Sequence, residues 1–205
     1  MNANFKKKPS VVLVMGGPAS GKGTYCKKLA EDFGFIHLSI GDILREERTK
    51  NTDSGKFLDF HMTQFENTGK LMPPEIITQF LFMAMTSHGW EKKAYLIDGV
   101  IKARGGYECW QKMFSKIVDM KFILYLECSE ETMMKRLSIR SETSGRVDDN
   151  QKLFLTRIKT FFERTYPCVE LFAAQGLVLR ISTENTIENV YAEVKSNILQ
   201  HFDLK

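Results

Sequence analysis

The sequence predicts an α/β fold in which a mainly parallel sheet is flanked by helices. Five short apolar runs are rich in β-branched or aromatic residues and too short for helices, which indicates buried strands. Amphipathic stretches separate these runs, and this alternation is typical of a doubly wound parallel sheet. The predicted strands are VVLVM (11–15), FIHL (35–38), AYLID (94–98), KFILYLEC (121–128) and LVLRIS (177–182).

Six amphipathic stretches complete the alternation as predicted helices. With 205 residues, the chain is long enough to bury one sizeable core, so we expect a single domain over residues 1–205. Two regions interrupt the alternation, namely 39–73 and the polar loop 141–149, and we expect both to be mobile insertions in the core. The predicted helices are 22–33, 54–68, 75–88, 129–140, 150–175 and 186–202.

Composition excludes several classes of protein. Hydrophobic residues make up 43% and charged residues 26%, which is ordinary for a folded globular chain, and the net charge of +4 is too small to indicate nucleic-acid binding. The apolar run after the basic start is too short for a signal or membrane segment. We therefore expect a soluble, cytoplasmic monomer with no membrane or nucleic-acid partner. Its four cysteines lack zinc or redox spacing and are expected to be free thiols: Cys26, Cys109, Cys128 and Cys168.

The stretch MGGPASGKGT (15–24) follows the first predicted strand and precedes a predicted helix. Gly16, Gly21 and Lys22 satisfy the pattern G-x-x-x-x-G-K in the context that it requires. Glycines let backbone N–H groups surround an anion, the helix N-terminus adds partial positive charge, and the lysine reaches the β- and γ-phosphates. The pattern predicts a nucleoside triphosphate site formed by Gly17, Pro18, Ala19, Ser20, Gly21, Lys22, Gly23 and Thr24.

The loop variant GGPxSGKGT, in which Gly23 separates Lys22 from Thr24, resembles that of the nucleoside monophosphate kinases. This family includes adenylate kinases and UMP-CMP kinases, and the resemblance covers nearly the whole chain. It implies a P-loop NTPase-type five-stranded sheet, a small helical monophosphate-binding insertion, a short lid, and transfer of the γ-phosphate of Mg²⁺-ATP to a nucleoside monophosphate. Ala19 stands where the family usually has glycine; a positive φ there costs ~1 kcal/mol.

Three further segments carry the resemblance to the acceptor side. The stretch SIGDILR (39–45) resembles S-x-G-[DE]-L-L-R, which implies that Arg45 holds the acceptor phosphate. The stretch GKLMP (69–73) resembles the segment that lines the acceptor base pocket. In LIDG (96–99), the acid is placed to organise Mg²⁺ through its waters, with no direct protein ligand to the metal. The residues implied here are Lys70, Leu71, Met72, Asp98 and Gly99.

The stretch KRLSIRSETSGRVDDN (135–150) resembles the short lid of cytosolic adenylate kinases. Arg136 and Arg140 are spaced i, i+4 and share one helix face. The resemblance implies that Arg136 stacks on the donor adenine, while Arg140, Arg146 and Arg157 neutralise the transferring phosphoryl group. Arginine suits this role because its planar fork makes bidentate contacts with phosphate oxygens. Arg146 and Arg157 are also expected to contact the monophosphate.

The segment after Asp98 departs from the family pattern [FY]-P-R-x-x-x-[QN]. Lys102 replaces the arginine that contacts the acceptor phosphate, and Gly106 replaces the amide that reads the acceptor base. Arg104 restores the lost fork if the loop refolds around its two glycines. Ile40 stands where AMP enzymes tend to have threonine and pyrimidine enzymes alanine. The acceptor base pocket is therefore not the standard one for either substrate, and a pocket without base-edge hydrogen bonds discriminates weakly.

Three functions follow from these patterns. The lid favours an adenylate kinase that accepts AMP. A UMP-CMP kinase is the first alternative, favoured by LREER (44–48), PEIIT (74–78) and the strand KFILYLEC. A catalytically impaired, ATP-binding interaction protein of the same fold is the second alternative, suggested by Lys102 and Gly106. The full set of arginines argues against the second alternative, since a protein that only binds nucleotide has no need of it.

Overall fold

A five-stranded parallel sheet forms the centre of the molecule. The computed structural model describes residues 8–68, 71–90, 94–142 and 151–202. The strand order is β2-β3-β1-β4-β5, and all four strand pairs are parallel. Each strand overlaps its predicted run, which confirms the five strands and the α/β class. The strands are β1 (Ser10–Gly16), β2 (Ile36–Ser39), β3 (Tyr95–Asp98), β4 (Asp119–Glu127) and β5 (Val178–Ser182).

Helices cover both faces of this sheet. They divide the buried side chains into two clusters, and β1 contributes alternate residues to each of them, as the two-residue period of a strand requires. Among the described helices, none combines the length and apolar character that a membrane span needs. The helices are α1 (Lys22–Phe33), α2 (Ile40–Arg48), α3 (Asp53–Thr68), α4 (Pro74–His88), α5 (Arg104–Met113), α6 (Glu130–Ser141), α7 (Gln151–Thr160), α8 (Tyr166–Ala173) and α9 (Ile187–His201).

Helix α5 was not expected from the sequence. It carries Gly105 and Gly106 in its first turn, and glycine costs about 1 kcal/mol per residue in a helix interior. Trp110 and Phe114 are nevertheless almost fully buried at the other end of this segment, and burying side chains of this size contributes more than the glycines cost. The condition stated for Arg104, a loop refolded around the two glycines, is therefore not met, because packing of the aromatic residues forms a helix there.

The predicted helix 150–175 is interrupted. Helices α7 and α8 are joined by a π-helical turn over Phe161–Thr165, and Pro167 lies in the first turn of α8. Proline removes a backbone donor, so a regular helix cannot continue unchanged through this point. The division into a core, an insertion at about 39–73 and a short lid at about 141–149 stays a prediction, and the lid from 143 onwards lies outside the described residues. The monomeric state and the cytoplasmic location also stay predictions.

Candidate functional site

A cleft of ≈1420 Å³ opens at the carboxyl edge of the sheet. In an open parallel sheet this edge is the expected place for a ligand. The register explains which residues meet there: Val14 of β1 pairs with Asp98 of β3, and Gly16 pairs with Leu126 of β4. The ends of β1 and β3 therefore bring the glycine-rich loop and the acidic residue to the same side of the cleft.

The backbone of the loop between β1 and α1 is constrained at three positions. A side chain on Gly16 would place its Cβ 2.7 Å from the carbonyl oxygen of Leu126, and Gly21, which caps α1, has a φ of +90°. Ala19 has a φ of +57°, so it adopts the left-handed conformation without being glycine. The positive φ at which the sequence analysis expects Ala19 to be strained is therefore present. The eight residues of the loop and first helical turn that line the cleft are Pro18, Ala19, Ser20, Gly21, Lys22, Gly23, Thr24 and Tyr25.

Lys22 folds back over the loop. Its Nζ donates hydrogen bonds to the carbonyl oxygens of Gly16 at 2.9 Å and of Gly17 at 2.7 Å. Burial lowers the pKa of Lys22, the nearby carboxylate of Asp98 opposes that shift, and Arg157 adds to it. These interactions place Lys22 among charged groups from β3 and α7. A phosphate entering the loop meets an ammonium group that is already directed into it.

Lys102 also lines the cleft, just after β3. Desolvation lowers its pKa to about 8; Arg157 contributes to the lowering, and Asp98 opposes it. Arg45 and Lys22 also lower the pKa of Lys102 by repulsion between like charges. The sequence-predicted residues from the donor and acceptor sides are thus within electrostatic reach of one another.

Arg45 reaches the cleft from α2. Its guanidinium forms an ion pair with Asp42, one turn earlier in the same helix, at 2.5 Å. Leu71 and Met72, which precede α4, line the same part of the cleft, and Gly99 lines it between Asp98 and the 100–102 segment. This wall combines a cation with apolar side chains, a combination that suits a phosphate attached to a base.

Arg136 lines the cleft from α6. Its guanidinium donates to the carbonyl oxygen of Thr183 at 2.5 Å and to the Thr183 hydroxyl at 3.4 Å. These bonds engage its N–H groups with the protein, which leaves the flat face of the guanidinium for stacking on a base. Ile139 and Ile187 also line the cleft and add apolar surface. The geometry suits a base platform rather than contact with the transferring phosphoryl group.

Glu184 ties this platform to the start of α6. Its carboxylate accepts hydrogen bonds from the backbone N–H of Ser129 at 2.6 Å and from the Thr132 hydroxyl at 2.5 Å. The same helix carries Arg136 and Arg140, both of which line the cleft. The loop after β5 therefore holds the first turns of α6 at two adjacent residues, Thr183 and Glu184. The sequence analysis missed both of these residues.

Four predicted site residues do not reach the cleft among the residues described. Ile40 is fully buried in the core, and Gly106 lies inside the first turn of α5, where a Cβ would come 3.4 Å from the Cα of Ile101. Arg104 points to the surface, where it pairs with Glu108 at 3.0 Å, so it does not replace the lost arginine fork. The fourth is Gly17, whose carbonyl nonetheless accepts from Lys22. Lys70 and Arg146 lie outside the described residues.

Several residues line the cleft without having been predicted. The π-turn and the residue before it contribute Thr160, Phe161 and Thr165, and α3 contributes His61 and Met62. The signal in the sequence was weak, because a π-turn has no residue pattern that distinguishes it from an ordinary amphipathic helix. Pro167 was the available indication that the long predicted helix does not run straight.

Comparison with known proteins agrees with this geometry. A family model described as Adenylate kinase matches residues 14–177. A UMP-CMP kinase from Danio rerio is 40% identical over 201 residues, which cover 96% of this chain and 100% of that protein. An adenylate kinase isoenzyme 1 from Gallus gallus is 36% identical over 196 residues, covering 96% and 97%, and that from Bos taurus is 35% identical over 192 residues, covering 94% and 95%.

Proposed function

Because the chain belongs to the adenylate kinase family and is a nucleoside monophosphate kinase, we propose that it transfers the γ-phosphoryl group of ATP to AMP in the cleft described above. The observation that carries the proposal is that Lys22, Asp98 and Lys102 line one cleft and that the charges of Lys22 and Asp98 act on Lys102. Lys22 belongs to the triphosphate loop, and Lys102 belongs to the acceptor wall. Two phosphate sites that share one electrostatic environment suit direct transfer between two nucleotides.

The donor occupies the loop end. The triphosphate lies along the backbone N–H groups at the start of α1, and Lys22 exchanges the carbonyl oxygens of Gly16 and Gly17 for phosphate oxygens. The base stacks on the guanidinium face of Arg136. This placement separates Arg136 from the phosphoryl group, whose charge is offset by Arg140 and Arg157.

The residues around Asp98 fit a magnesium ion. Its carboxylate lines the cleft beside the loop, and Mg²⁺ is commonly held by one or two carboxylates together with phosphates and water. Asp98 would hold Mg²⁺ through its waters. When bound, the ion supplies positive charge against the phosphate oxygens.

The acceptor phosphate lies between Arg45 and Lys102. One of its ionised oxygens forms a bond to the γ-phosphorus of ATP, while the bond from that phosphorus to the bridging oxygen breaks and ADP leaves. The reaction needs no nucleophile from the protein, because the acceptor is already an anion. Arg140, Arg157 and Lys22 stabilise the charge that spreads over the transferring group.

UMP and CMP are the second candidate acceptors. The 40% identity with a UMP-CMP kinase, against 35–36% with adenylate kinases, favours them. Gly106 provides no amide to read either base, and a site lacking such hydrogen bonds loses the 10⁴–10⁵-fold discrimination that they allow. We therefore expect a preference between AMP and the pyrimidine monophosphates of about 100-fold or less.

A coupled assay for ADP formation with ATP and each of AMP, UMP, CMP and GMP tests the proposal. We expect turnover that requires a monophosphate and is fastest with AMP; faster turnover with CMP or UMP selects the second candidate. Lys22→Met should nearly abolish transfer, whereas Lys28→Met, on the same helix but beside Tyr191, should not. Absence of turnover with all four acceptors, alongside measurable ATP binding, refutes the proposal.

A further inference from the structure

The π-turn between α7 and α8 is bonded to the acceptor wall. The Thr165 hydroxyl, at the end of this turn, donates a hydrogen bond to the backbone carbonyl oxygen of Lys102 at 2.9 Å. Thr165 also lines the cleft, as do Thr160 and Phe161. The Thr165 side chain therefore holds the backbone of Lys102, the residue to which the proposed function assigns the acceptor phosphate.

The π-turn explains how Thr165 reaches this carbonyl. Thr165 follows Arg157 by eight positions. In a regular α-helix, this separation would turn the Thr165 side chain about 80° around the helix axis from that of Arg157. In a π-turn, a backbone N–H bonds to the carbonyl oxygen five residues earlier instead of four. Successive residues are therefore rotated by less about the helix axis, and the side chains of Arg157 and Thr165 lie on a more similar face. Arg157 and Thr165 both line the cleft. Insertions of this kind occur frequently at functional sites.

We propose that Thr165 is a positioning residue for Lys102, which it holds so that the Lys102 ammonium group binds the acceptor phosphate. The inference rests on the proposed function, because it takes Lys102 to be the acceptor-phosphate residue. A lysine depends on such support more than an arginine does: its charge is a single point on a flexible four-carbon stem, whereas an arginine fork orients itself on two phosphate oxygens.

An ordinary structural role for Thr165 has different consequences. Thr165 precedes α8, but its side chain makes no capping hydrogen bond to that helix. Valine has nearly the same shape as threonine, so Thr165→Val removes the bond to Lys102 and leaves the packing in place. Substitution of a residue that only supports the fold changes KM for both substrates or the melting temperature. Substitution of a residue that acts through Lys102 changes KM for the acceptor alone.

Steady-state kinetics on the full chain separate these roles. We expect Thr165→Val to raise KM for the acceptor about three- to tenfold, the effect of one lost hydrogen bond, with KM for ATP unchanged. Thr165→Ser, which restores the hydroxyl, should recover the wild-type value. Thr86→Val is the matched control, because it removes a hydroxyl that donates to the carbonyl oxygen of Phe82 at 2.8 Å on α4, and it should change neither KM.

A double-mutant cycle with Lys102→Ala completes the test. If Thr165 acts through Lys102, Thr165→Val adds nothing to the acceptor KM of Lys102→Ala. Fully additive effects, or an acceptor KM that Lys102→Ala raises but Thr165→Val leaves unchanged, overturn the role of Thr165 alone. An acceptor KM that Lys102→Ala does not change overturns the placement of Lys102 in the proposed function, and the inference with it. The two failures are therefore distinguishable.

Discussion

Use of the acceptor should weaken as the pH rises through about 8, because Lys102 loses its proton there. The pKa of Lys102 is lowered to about 8 by desolvation, with Arg157, Arg45 and Lys22 adding to the shift and Asp98 opposing it. The charged ammonium is the form that attracts a phosphate. Since deprotonation removes this form, the loss lies on the alkaline side of the pKa.

The size of the effect follows from the titration of one group. With a pKa of about 8, the protonated fraction of Lys102 falls from roughly 0.9 at pH 7 to roughly 0.1 at pH 9. The value of kcat/KM for the acceptor reports the free enzyme, so it should fall about tenfold over this range. Saturating acceptor brings a negative charge next to the lysine and raises its pKa, so kcat should fall at a higher pH.

The assay is a pH profile of kcat/KM for the acceptor at an ATP concentration well below its KM, so that the free enzyme is the reference state, with Lys102→Arg as the comparison. Arginine keeps its charge throughout this range, so the variant should lose the fall near pH 8 and bind the acceptor at least as well as the wild type. A profile for the Arg variant that falls at the same pH as the wild type refutes the reasoning. In that case another group in the cleft carries the titration.

Three further substitutions test other parts of the molecule. Ala19→Gly should relieve the left-handed strain, stabilise the fold by up to ~1 kcal/mol and raise the melting temperature by about 2–4 °C; an unchanged or lower melting temperature contradicts the assigned strain. Glu184→Ala should raise KM for ATP about three- to tenfold and leave KM for the acceptor unchanged, because the loop after β5 then no longer holds the start of α6. Glu131→Ala is its control, because Glu131 is an exposed residue of α6. Gly106→Ala should fold, since a Cβ there meets Ile101 no closer than 3.4 Å, and should leave KM for AMP and KM for CMP unchanged, because residue 106 lies outside the cleft; a change in either KM contradicts this placement.

The fold was largely predictable because its signals are local. The buried runs of β1 and β4 are continuous and apolar, and the glycine-rich loop marks the junction of β1 with α1. Helix α5 was not predictable from its own residues, because Gly105 and Gly106 indicate a loop. The helix depends on the burial of Trp110 against parts of the chain distant in sequence.

The site was predictable where a side chain has to meet a phosphate. Lys22, Asp98 and Lys102 were identified from spacing and resemblance, and all three line the cleft. The role predicted for Arg104 was wrong, because charge and position in the sequence do not determine where a side chain points. Arg104 is the first residue of α5, and its side chain pairs with Glu108. Thr165 was missed because its partner is a backbone carbonyl more than sixty residues away, and no sequence pattern encodes such a bond.

The carboxylate of Asp98 acts as a shared counter-ion. It opposes the lowering of the pKa of both Lys22 and Lys102, while Arg157 adds to the lowering of each. Burial and the like charges of Arg157, Arg45 and Lys22 disfavour the charged form of Lys102 in the ligand-free cleft. Nucleotides bring negative charge to this lysine, so part of their binding free energy comes from relief of a penalty already present in the fold. Occupancy of the cleft should consequently stabilise the folded chain beyond the contribution of direct contacts, since both phosphate groups neutralise the same cluster.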